Sequence, residues 1–243
     1  MTSYATSSPR ADGQSDVSRL TKVVAPRLVF ETVTKTWRGA PTPVLDSVEL
    51  ALEPGVLAAV TGRNGAGKTT LLRIASGLIT PTSGRMLLEG FDSVKDRREY
   101  QRRVGFVSAG YGGLYARLSV REHLDLASKL ALMPRRATKH AIEMVIERFQ
   151  LEPLIGAERV DRLSMGQRQR VRLALGFVHD PRVALLDEPW NSLDPEGKEM
   201  VLAALTSFAS AGGAAICCSP TGEELGERAD MLYGIDRARL VRL

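Results

Sequence analysis

The sequence predicts an α/β domain built on a parallel core sheet, with an inserted helical subdomain and a small antiparallel sheet at its N-terminal side. Three observations carry this. An apolar run at 56–61 leads through a glycine-rich turn into a helical stretch at 68–76. A long middle segment, about 93–172, spaces its apolar residues three and four apart, as in SVREHLDLASKLALM and HAIEMVIERFQL. Short apolar runs return at 183–186, 214–218 and 231–235. Strand, helix, helical insertion and further strands, in that order, describe such a layered domain.

Taken from the start, residues 1–25 are rich in Ser, Thr, Asp and Gly, without an apolar core or a signal-peptide pattern, and read as a disordered tail. The domain is expected over 26–243. Leu28-Val29-Phe30 and Val48 to Leu52 have strand spacing and flank a polar stretch with Trp37, Gly39 and two prolines, the antiparallel pair. Pro81-Thr82-Ser83-Gly84 is a turn into a further apolar run. The basic run DRREYQRRV carries acids of its own and reads as a solvated helical face. No nucleic-acid partner is therefore expected, although the net charge is +5. Cys217 and Cys218 are neighbours in one strand and point to opposite faces, so they read as free buried thiols suited to a reducing cytoplasm. No stretch approaches the ~20 apolar residues of a membrane span.

Chemistry is concentrated in two places. Gly62-Arg63-Asn64-Gly65-Ala66-Gly67-Lys68-Thr69 fits the pattern G-x-x-x-x-G-K-[ST], with Thr70 continuing into the helix. Glycines let backbone N–H groups curl around phosphates, and the helix N-terminus adds its dipole. Lys68 is placed to hold the β/γ oxygens of a nucleoside triphosphate, and the Thr69 hydroxyl to ligate Mg²⁺. Val183-Ala184-Leu185-Leu186-Asp187-Glu188 is an apolar strand ending in two acids. Asp187 is assigned to Mg²⁺ and Glu188 to the attacking water as general base.

Between these motifs stands Leu163-Ser164-Met165-Gly166-Gln167, followed by RQRVRLALGFVHDP. Here the chain resembles the ATP-binding cassette of ABC transporters, from about Leu28 to Leu243. The family signature reads LSGGQ, and Met165 departs from it. The resemblance implies ATP as ligand and a second cassette packed head to tail. Each signature would then face the γ-phosphate held by the other chain, with Ser164, Gly166 and the helix N-terminus toward it. Read alone, the same residues form a helix cap, Ser164 with Gln167 three residues on; both readings can hold. Ser192-Leu193-Asp194 matches the loop that crosses the dimer interface. Trp37 matches the aromatic that stacks on adenine, with a core tryptophan as the rival. Gly113-Leu114-Tyr115 falls near the surface that receives transmembrane permease subunits, or Tyr115 belongs to the helical core.

Two matches fail. The family's strand after the acidic one ends in a histidine that contacts the γ-phosphate. That position falls on Pro220, or on Ser219 with a one-residue slip, and the chain's histidines are His123, His140 and His179. Ala109 stands where the family usually has a glutamine that senses Mg²⁺ and water. The resemblance implies the ATPase subunit of an exporter-like transporter, peripheral on the cytoplasmic face of the inner membrane. The two departures point either to slowed hydrolysis or to a site in which Glu188 and the phosphate loop suffice with a hydroxyl from Ser219 or Thr221. The alternatives are a degenerate regulatory subunit paired with an active cassette, and a soluble cassette ATPase.

Overall fold

The computed structural model describes residues 25–110, 112–156 and 159–243; most of the proposed N-terminal tail lies outside them. Two sheets divide the strands. The first is antiparallel, in the order β2-β1-β4-β5, from β1 (Leu28–Lys35), β2 (Leu45–Leu52), β4 (Ser83–Leu88) and β5 (Phe91–Asp92). In β2 the alternation is plain: Leu45, Val48, Leu50 and Leu52 are buried, the mark of a sheet with one face on the core.

The second sheet joins β3 (Leu57–Thr61), β6 (Val104–Val107), β7 (Val183–Asp187), β8 (Ala214–Cys218), β9 (Met231–Asp236) and β10 (Arg239–Arg242) in the order β10-β9-β3-β8-β7-β6. All its pairings are parallel except the terminal β9–β10 hairpin. β7 and β8 are buried at every position, as expected of strands covered on both faces. Each face has its own core. Leu186 and Cys217 pack with the helical side, Leu185 and Cys218 with the antiparallel sheet. Both cysteines are free and buried, as the alternation of strand side chains requires.

Six α-helices among the described residues complete the domain: α1 (Lys68–Ala75), α2 (Arg97–Gln101), α3 (Val120–Leu130), α4 (Arg135–Arg148), α5 (Met165–Phe177) and α6 (Pro195–Ser210). The helical reading of 93–172 needs one correction, because β6 lies inside that range and pairs with β7. Val-Gly-Phe-Val is too short to reveal its period. What makes it a strand is tertiary: a Cβ on Gly105 would stand 2.3 Å from the Gly176 carbonyl, so only glycine lets the strand approach α5 this closely. The inserted helices proper are α3, α4 and the N-terminal part of α5. The basic run forms α2 and its surroundings. Glu99 pairs with Arg103 at 2.9 Å, and Tyr100 is buried with its hydroxyl donating to the Ala75 carbonyl at 2.6 Å. No helix among the described residues is long and apolar enough to cross a membrane.

Candidate nucleotide site

The C-terminal end of β3 opens into the loop 62–67, which ends at α1. Gly67 caps that helix at φ +109°, and a Cβ there would lie 3.0 Å from the Val44 carbonyl. The left-handed conformation and the close contact both demand glycine. Arg63, Asn64 and Gly65 are exposed, Ala66 closes a turn onto the Arg63 carbonyl, and Lys68 is buried. The Lys68 ammonium folds back over its own loop, donating to the carbonyls of Gly62 at 2.5 Å and Arg63 at 3.3 Å. A buried cation ringed by backbone at a helix N-terminus is a natural seat for phosphate oxygens.

The Thr69 hydroxyl donates to Asp187 Oδ2 at 2.7 Å, so the two residues assigned to the metal meet across 118 residues of sequence. Burial, more than any other influence, pushes the Asp187 carboxyl above its ordinary range, and the neighbouring Glu188 adds to this. The Thr69 hydroxyl, the Ala109 amide and Lys68 act against it. A hydroxyl and a buried carboxylate are hard oxygen donors, and this pair fits Mg²⁺. Among the described residues no cluster of three or more His, Cys, Asp or Glu could hold a metal. The remaining ligands would therefore come from phosphate and water, as is usual for Mg²⁺.

Glu188 follows at φ +50°, a conformation that a non-glycine residue adopts at a cost. Its N–H donates to the Cys218 carbonyl at 2.8 Å, and its carboxylate accepts from the Asn191 amide. The kink turns the chain off the strand and leaves the carboxylate on the wall of a cavity of about 240 Å³.

α5 begins at the signature. Ser164 and Gln167 form a reciprocal capping box, with Gln167 N–H on Ser164 Oγ at 3.2 Å and Ser164 N–H on Gln167 Oε1 at 2.8 Å. A Cβ on Gly166 would stand 2.7 Å from the Ser192 carbonyl, so the signature packs directly on the loop after Glu188. Ser192, at φ +64°, Leu193 and Asp194 share with Ser164, Met165 and Gly166 a second cavity of about 520 Å³. Asp194 also caps α6, accepting from Gly197 N–H at 2.7 Å. Each chain thus carries a phosphate seat and, separately, a helix N-terminus facing an open cavity; Met165 and Ser192 line both cavities.

The sequence profile of the family described as ABC transporter matches residues 45–191. The chain belongs to the ABC transporter family. It is 38% identical over 147 residues to the ABC transporter ATP-binding protein NatA of Bacillus subtilis (strain 168), covering 60% of this chain and 59% of that one. It is 32% identical over 197 residues to the daunorubicin resistance ATP-binding protein DrrA3 of Streptomyces coeruleorubidus, covering 81% and 62%. The chain thus spans about three fifths of the length of these two curated relatives. Cassettes named for phosphonate and methionine import match as well. The fold agrees with that of a solved ATP-binding subunit of an ABC transporter at a TM-score of 0.79 and 22% identity, over 88% of this chain and 87% of the other.

Trp37 is 46% exposed, with the Lys35 ammonium 4.9 Å from its ring centroid, which removes the core alternative. It lies in the β1–β2 connection, whose Val44 touches Gly67. Tyr115 is 63% exposed and stacks on His123, so it is not a core residue either. His123 bonds to Ser119 and Tyr115 backbone, His179 to the Val104 carbonyl, and His140 lies on α4. None stands at the end of β8. There Ser219 is 3% exposed, its hydroxyl accepting from Gly222 N–H at 2.7 Å, and Pro220 is exposed. Asn191, Gln169 and Arg172 escaped the sequence reading, because each acts through contacts that no local motif announces.

Proposed function

We propose that the chain is the ATP-hydrolysing subunit of an ABC exporter, working with a second cassette and with separate transmembrane permease subunits on the cytoplasmic face of the membrane. The observation that carries the reading is the Thr69–Asp187 contact beside a buried Lys68, with Glu188 one residue on. Thr69 and Asp187 would hold Mg²⁺, which would supply positive charge beside the triphosphate. Lys68 and the loop amides orient the triphosphate, and Trp37 stacks on the base. Glu188 takes a proton from a water whose oxygen forms a bond to the γ-phosphorus. The bond from that phosphorus to the bridging oxygen breaks, leaving ADP and inorganic phosphate. Ser164, Gly166 and the N-terminus of α5 meet the γ-phosphate of the partner's ATP, and Ser192 to Asp194 lie along the same interface.

Export is supported by the resemblance of GFVSAGYGGLYARLSVREHL to exporter cassettes and by the likeness to DrrA3, a protein named for daunorubicin resistance. Slowed hydrolysis is supported by the side chains at 109, 219 and 220. Ala109 is a methyl, Pro220 has no polar side chain, and the Ser219 hydroxyl is engaged in its own turn. Losing one polar partner of a transferring phosphoryl costs about a hundred- to a thousandfold in rate. The same absence favours, as a second reading, a cassette that binds ATP while a different partner hydrolyses it.

The test is steady-state ATPase of the chain with its co-purifying membrane subunits, beside Glu188→Gln and Pro220→His. Turnover abolished by Glu188→Gln and raised by Pro220→His is the expected result. ATP binding without turnover in all three would leave the regulatory reading.

A further inference from the structure

The cavity beside Glu188 has one wall that the hydrolysis steps above do not use. Gln169 and Arg172, one turn apart on α5, line it together with Ala109, Gly110, Glu188 and Asn191. Both are polar and nearly buried, Gln169 at 6% and Arg172 at 8% exposure. Arg172 Nε donates to the Gly112 carbonyl at 3.1 Å, and Arg172 Nη1 to Gln169 Oε1 at 3.4 Å. Gln169 Nε2 in turn donates to the Pro189 carbonyl at 3.1 Å. A continuous run of hydrogen bonds therefore joins the loop after β6, through a single turn of the signature helix, to the residue that follows Glu188.

Each end of this run bears on the reacting groups. The loop held at Gly112 also carries Ala109, whose backbone amide favours the ionised form of the Asp187 carboxylate. The loop held at Pro189 carries the Glu188 carboxylate and the Asn191 amide that grips it. The space between them, about 240 Å³, has room for several waters at ~30 Å³ each. Ala109 presents only a methyl to it, so the loop after β6 has no side chain of its own at 109 with which to fix its distance from Glu188. A buried guanidinium is expensive to desolvate and persists where its bonds are satisfied, and a planar fork can hold two carbonyl oxygens in fixed relation.

We infer that Arg172 and Gln169 are positioning residues for ATP hydrolysis: from the signature helix they set the separation of the two walls between which Glu188 meets its water. The inference rests on the reading that this chain hydrolyses ATP. It assigns these residues no contact with the nucleotide, so their loss should slow the chemical step and leave ATP binding intact.

The experiment compares wild type, Arg172→Met, Arg172→Lys and Gln169→Met as full chains with their membrane subunits. It measures kcat and KM for ATP, affinity for a fluorescent ATP analogue, and Tm. Arg172→Met should lower kcat about tenfold or more while analogue affinity stays within about twofold, since small misplacements of reacting groups cost rates of this order. Arg172→Lys should recover part of the loss, and Ala109→Gln, adding a polar side chain to the same wall, should recover part of it in the Arg172→Met background. Should Arg172→Met fail to fold, Gln169→Met decides, because it leaves the bond to Gly112 in place. A folded variant with unchanged kcat, or one whose affinity falls in step with kcat, overturns the proposal alone. A silent wild type that binds the analogue overturns the hydrolysis reading and this proposal with it.

Discussion

Gly67 shows how much a single residue can settle. Its φ of +109° and the 3.0 Å approach to Val44 act on the same Cβ. Gly67→Ala is expected to cost about 1–2 kcal/mol from the left-handed backbone alone. In a chain of this size that lowers Tm by about 2–8 °C, and ATP should no longer raise the Tm of the variant. A Tm unchanged from wild type would show that the loop relaxes around the methyl and is not held rigid by its packing. Ser164 caps α5 and, in the proposed dimer, also faces the partner's phosphate; the two roles can be separated. Ser164→Ala should cost ~1 kcal/mol by loss of the cap. Ser164→Asp keeps a cap but sets a negative charge toward the partner's phosphate, so Tm is held while the ATP-dependent dimer, followed by light scattering, is lost.

At the scale of elements, β6 and α5 depend on each other. Gly105→Ala puts a methyl into the Gly176 carbonyl, and overpacking of this kind costs about 1–3 kcal/mol. Gly156→Ala, which meets open space, is the control in the same melting experiment. His179 ties the end of α5 to the start of β6 through the Val104 carbonyl, and burial holds its pKa below the usual histidine value. The sign follows: the unfolded chain takes up a proton near pH 6.5, while the folded chain refuses it until lower pH. Stability attributable to His179 is full above that value and falls as pH drops through the window. His179→Gln should flatten the acid limb of a Tm-against-pH curve between about pH 7 and 5.5. Curves that stay parallel would remove His179 from the account.

Across the whole molecule, what could be read in advance was what is contiguous. The phosphate loop, the acidic strand and the capping box each occupy fewer than ten neighbouring residues, and each stands where its local chemistry places it. The antiparallel pair was legible from alternation. β6 was not, because four apolar residues have no period to measure and its partners lie far along the chain. Nor were Gln169 and Arg172, which reach the loops at Pro189 and Gly112 across 20 and 60 residues. With the signature completing a site on a second copy, as proposed, the chain should self-associate only when ATP fills the phosphate seat. Glu188→Gln, which binds without turnover, is expected to elute as a dimer with Mg²⁺-ATP and as a monomer without it; a dimer in both conditions would place the interface elsewhere.

The paired cysteines give the two cores separate witnesses. Cys217 faces the helical side and Cys218 the antiparallel side, both sealed and with thiols that burial makes reluctant to ionise. A thiol reagent can reach either one only when its own side of the sheet breathes. In the single variants Cys217→Ala and Cys218→Ala, the modification rate becomes a stopwatch for one layer at a time. Nucleotide clasped at the top of the sheet would slow the Cys218 clock, whose sulfur borders Lys68, more than the Cys217 clock if the layers open independently. Equal slowing would mean that the domain opens as one body.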